Sequence, residues 1–98
     1  MEEVLNRIND MEKAFDRAGL ALKVLSDAFE DYRGVAEDFN ALADYLSSGQ
    51  WMEDFERDEA GELPADLKRG VLSEDGLYDL LTEHGELLSE LKGFLCGK

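Results

Sequence analysis

Val4-Leu-Asn-Arg-Ile8-Asn-Asp-Met11-Glu-Lys-Ala-Phe15-Asp-Arg-Ala18-Gly-Leu-Ala-Leu22-Lys-Val-Leu25-Ser-Asp-Ala-Phe29-Glu-Asp-Tyr32 carries the pattern that decides the fold. Its numbered residues follow one another at alternating steps of four and three. A 3.5-residue repeat keeps one helix stripe facing a partner helix. Leu5, Ala14, Ala21, Val24 and Ala28 widen the stripe toward a bundle face. Charges fill the remaining positions, and Glu3 stands four residues before Arg7, a favourable spacing on a helix.

The phase persists beyond this stretch, because Ala36, Phe39, Ala43 and Leu46 keep the same steps past Gly34. Two structures fit. One unbroken helix to Ser47 would be ~70 Å long at 1.5 Å per residue, more than a monomer of this size covers, and would imply a dimer. A hairpin at Tyr32–Val35 would use Gly34 as an inexpensive turn. The turn is the expected arrangement, with helices over about 2–31 and 35–47.

Ser47-Ser48-Gly49-Gln50 ends the helical pattern. An acidic segment follows, anchored by Trp51, Phe55 and Leu63. Pro64 to Arg69 reads as a short helical turn, with Pro64 at the first helical position and Gly70 just past the end. Ser73 has the character of an N-cap, with Glu74 and Asp75 in the first turn. Leu72 and Leu77 take the two positions of a hydrophobic staple. A last helix over 73–95 then carries Leu77, Leu80, His84, Leu87, Leu91 and Phe94 on one seam. The expected fold is all-α. It is a single-domain antiparallel three-helix bundle with an ordered acidic loop and one short helical turn (48–72) before the last helix.

Composition narrows the function. The 98 residues include 24 acids and 10 Lys or Arg, a net charge of −14. Nucleic acids and anionic membranes bind through neutralising cations, so neither is an expected partner. Thirteen acids and only two bases lie between Asp27 and Asp66. Cys96 is the one cysteine, so neither an internal disulfide nor a thiolate metal cluster is expected. The N-terminus lacks the basic region and apolar run of a signal peptide, which makes the cytoplasm the expected location. No catalytic, cofactor-binding or metal-ligating set emerges. His84, the only histidine, sits in an apolar seam, where a hydrogen-bonded core or interface residue is expected; a pH-sensitive interface is the sharper alternative.

The candidate site is the acidic segment and the cations after it. Asp54, Glu56 and Asp58 alternate like the first ligands of a calcium loop, but Glu59 and Ala65 stand where such a loop needs glycine and a bidentate glutamate. Lys68 and Arg69 follow seven acids within Glu53–Asp66, and an arginine fork binds a carboxylate through two parallel hydrogen bonds. Lys68 or Arg69 is therefore expected to pin the loop. Trp51, with these two cations, is either the anchor of a recognition surface or part of the core.

The stretch Trp51 to Leu81, above all Leu63-Pro64-Ala-Asp-Leu67-Lys-Arg-Gly-Val-Leu-Ser-Glu-Asp75, resembles the signature of a small bacterial family catalogued as domain of unknown function 4298. The resemblance implies a bacterial, cytoplasmic chain of about this length and no particular reaction. The expected role is non-enzymatic: protein–protein interaction or self-association, as a homodimer or with another protein partner. An acidic decoy for a basic partner and a divalent-cation-binding protein are the alternatives.

Overall fold

The computed structural model describes residues 1–97. It is all-α, with no strand among the described residues. The elements are α1 (Glu2–Ser47), α2 (Gln50–Glu59), a 3₁₀ turn (Gly70–Leu72) and α3 (Gly76–Cys96).

The expected hairpin at Tyr32–Val35 does not form. Helix α1 runs unbroken through Gly34, whose φ is not positive. A glycine inside a helix costs about 1 kcal/mol relative to alanine. Breaking the helix there would forfeit the hydrogen bonds of a full turn, and residues 32–36 offer neither a proline nor an N-capping side chain to replace them. The 35–47 helix of the expected bundle is thus the continuation of the first.

The chain divides into two units, residues 1–36 and 37–98. The first is helix alone, and α1 buries no residue along its whole length. Its polar face carries exposed pairs, Lys23–Asp27 at 3.1 Å and Arg33–Glu30 at 3.5 Å. Such pairs are screened and add little.

The second unit holds the core. Trp51, Leu72 and Leu77 are 8%, 6% and 3% exposed, and Leu42, Tyr45, Leu46, Phe55, Leu63 and Leu81 pack against them. Leu72 and Leu77 are the staple pair read from the sequence. Ser73 Oγ accepts a hydrogen bond from the Gly76 amide at 3.0 Å, the bond that an N-cap makes three residues ahead. The α-helix itself starts at Gly76, three residues later than expected. On α1 and α3 of this unit, Phe39 and His84 stack with ring centroids 3.8 Å apart.

Gly49 (φ 93°) and Gly61 (φ 75°) take the left-handed conformation that L side chains resist. Gly49 separates α1 from α2. Gly61 closes α2 in a Schellman motif, with Gly61 N donating to Asp58 O and Glu62 N to Arg57 O, both at 3.0 Å. The apolar contact that usually seals this motif is replaced by an ion pair, Arg57–Glu62 at 3.4 Å.

These backbone states give opposite predictions for two glycines. A Cβ added at Gly34 meets nothing within 4 Å. Gly34→Ala should therefore raise helicity and stability by about 1 kcal/mol, whereas Gly49→Ala should lower stability by about 1–2 kcal/mol. Thermal unfolding followed by circular dichroism measures both, and a loss on Gly34→Ala would restore the hairpin.

Candidate functional site

The segment expected to be an acidic loop begins with a helix. Trp51 and Phe55 lie one turn apart on α2, and their rings stack at 5.0 Å. The Trp51 Nε1–H donates to Val71 O at 2.8 Å, tying α2 to the 3₁₀ turn twenty residues on. Trp51 is thus a core anchor and not an exposed contact residue. Burying its rings is favourable only because the indole N–H has found an acceptor.

Helix geometry also separates the three alternating acids. At about 100° per residue, Asp54 and Glu56 point to opposite sides of α2, so they do not converge on one ion. Asp54 accepts a 2.6 Å hydrogen bond from the Tyr45 hydroxyl. That bond pushes the Tyr45 phenol up to about 12, with burial and the nearby Asp54 charge adding to it. Glu56 is exposed and, with Glu53, Arg57 and Glu62, lines an open groove of about 360 Å³. Asp58 is half-buried and pairs with Arg69. No group of three or more metal-ligating side chains is found among the described residues.

Arg69 organises the loop. Its guanidinium donates to the Asp58 carboxylate through Nη1, to Pro64 O through Nη2, and to Leu67 O through Nε at 3.2 Å. Leu67 N in turn donates to Pro64 O at 3.2 Å, a single tight turn in place of the helical turn expected over Pro64–Arg69; the 3₁₀ turn forms at Gly70–Leu72, where the expected turn was to have ended. One planar cation thereby satisfies a carboxylate on α2 and two carbonyls of the loop, a geometry that the lysine ammonium does not reproduce. Lys68 is exposed and forms no ion pair among the described residues.

The six residues singled out from the sequence thus divide. Trp51, Asp54, Asp58 and Arg69 build the second unit, and Glu56 and Lys68 face solvent. The larger open feature lies on α1. There Phe15, Leu22 and Leu25 are 75%, 67% and 63% exposed, and Leu5, Ile8, Met11 and Phe29 are also exposed. The seam was legible in the sequence, whereas the separate helix expected at 35–47 is the continuation of α1.

The family described as Domain of unknown function (DUF4298) matches residues 8–92. The chain belongs to this family. The match runs from the exposed face of α1 through most of α3, so the DUF4298 unit includes both the apolar face and the Arg69-pinned loop. Comparison with curated proteins and with solved structures gave no match. No helix among the described residues of this DUF4298 chain is long and apolar enough to cross a membrane.

Two predictions concern the pinned loop. Arg69→Lys should cost about 1–2 kcal/mol, because loop carbonyls lose a charged donor; Trp51 fluorescence reports unfolding of this unit, since it is the one tryptophan. Tyr45→Phe should cost a similar amount below pH 10, where the phenol is protonated both folded and unfolded. As the folded phenol is held up to about 12, the contribution should decline above pH 10 and vanish past about 12. Urea unfolding of both proteins across that range checks it, and a wild-type advantage that grows with alkalinity would contradict the bond.

Proposed function

We propose that the protein is a non-catalytic protein-interaction module whose contact surface is the apolar face of α1 between Val4 and Tyr32. The exposure of that face carries the reading. Seven large apolar side chains lie on it, from Leu5 to Phe29. Each gains roughly 1.5–3 kcal/mol when fully buried, so together they supply on the order of 10 kcal/mol even with incomplete cover. That is comparable to the about 4–15 kcal/mol that association costs in lost freedom and ordering.

The second unit is then the folded body that ends the helix. Its directed bonds serve its own stability: Trp51 to Val71, Tyr45 to Asp54, and Arg69 to Asp58, Pro64 and Leu67. Its open acidic groove already contains an internal pair, Arg57 with Glu62. These groups are engaged with one another, which supports a structural role for them; α3 also exposes Leu87, Leu91, Phe94 and Leu95, and α1 carries the longer exposed apolar face.

Affinity capture with a tagged chain, co-expressed with an untagged copy, tests this. The wild type should retain a protein, its own copy included. The double variant Phe15→Glu, Leu22→Glu should retain at least tenfold less while keeping its helical circular dichroism. Equal retention by both would remove α1 as the contact surface.

A further inference from the structure

We infer that the occupant of this face is a second copy of the same chain, packed antiparallel, with the two-fold axis crossing α1 at Leu20. The inference rests on α1 being the contact surface and adds the identity and direction of the partner.

Charge selects a copy of this chain. Residues 1–36 carry eight acids and five bases, a balance of −3, whereas residues 37–98 carry sixteen acids and five bases, a balance of −11. The apolar face therefore lies on the part of the chain that repels itself least. The acidic remainder, not α1, would favour a basic partner. The 3.5-residue period calls for a helical partner, and the seam is complementary to its own reverse.

Packing selects the direction. The seam from Ile8 to Tyr32 is centred on residue 20. An antiparallel pair about that point sets Ile8 against Tyr32, Met11 against Phe29, Phe15 against Leu25 and Ala18 against Leu22. Every layer then joins residues of unlike size, and no layer is empty. A parallel pair in register would stack Phe15 on Phe15 and leave Ala18 against Ala18, one layer crowded and the next hollow. Cores penalise both faults. At the axis, Ala21 meets Ala21 and Gly19 meets Gly19, so the backbones can approach closely at the middle of the contact.

Electrostatics agrees. In the parallel pair, the two segments of charge −11 would leave α1 side by side, within about one 10 Å screening length at 0.1 M salt. In the antiparallel pair, residue 37 of one copy stands beside residue 3 of the other, so the acidic segments enter ~50 Å apart along the axis. Flanking positions also avoid like charges: Glu12 faces Ser26, and Arg7 faces Val35.

The test is a distance. Asn6→Cys, on the exposed side of α1 away from the seam, is spin-labelled in a Cys96→Ser background that removes the native exposed thiol. Sedimentation should give a dimer, and dipolar spectroscopy should give a label separation of about 42 Å, from twenty-eight residues at 1.5 Å each. A dimer with labels within about 20 Å, the 8–10 Å helix spacing plus label arms, would overturn the antiparallel direction and leave α1 as the contact surface. A monomer would overturn self-pairing, and the capture experiment would then decide whether α1 binds another protein.

Discussion

Removing apolar surface from water is worth roughly 25 cal/mol per Å², and α1 places a stripe of aromatic and aliphatic side chains where none of its residues is buried. Most of the account follows from that imbalance. A helix that continues through Gly34 keeps its seam in phase, with Phe39 stacked on His84 in the second unit and Leu46 packed against its core. The earlier part of the seam, around Phe15 and Leu22, is the part left in water. Whatever covers it governs how long the helix persists, because an isolated helix gains little from propensity alone.

The second unit solves a different problem. Only three of its described residues are buried, so area alone gives modest stability. Directed polar contacts compensate. The Trp51 indole closes on Val71 O, the Tyr45 hydroxyl on Asp54, and the Arg69 fork spans α2 and the loop. Each brings together groups distant in sequence that would otherwise leave a donor or acceptor unpaired near an apolar cluster. In a small unit these bonds specify a single arrangement as well as stabilising it.

Much of this was legible in the residues. The seam, the break at Ser47–Gly49 and the Leu72–Leu77 pair have local causes that spacing reveals; the helical turn expected at Pro64–Arg69 forms instead at Gly70–Leu72, and the N-cap position of α3 is held by Asp75, two residues beyond Ser73. Pinning by Lys68 or Arg69 was also legible, since a cation after a run of acids has few other partners; that Arg69 is the one comes from the fork's reach to Asp58, Pro64 and Leu67. Three features were not legible. Helix α2 was hidden by its acids, whose i, i+2, i+4 spacing resembles a metal loop; Trp51 and Phe55 one turn apart, with Gly61 as the closing residue, were the signal for it. The continuity at Gly34 was misread because a single glycine permits a turn without requiring one. The choice depends on capping groups that residues 32–36 lack. Tyr45 drew no attention either, since it stands one position off the seam, beside Leu46.

Amide hydrogen exchange measured across protein concentrations tests the central claim most directly. Protection of residues 8–32 should rise with concentration as the apolar face is covered, while that of residues 51–81 stays constant because their contacts lie within one chain. Protection of residues 8–32 that does not change with concentration would contradict the account.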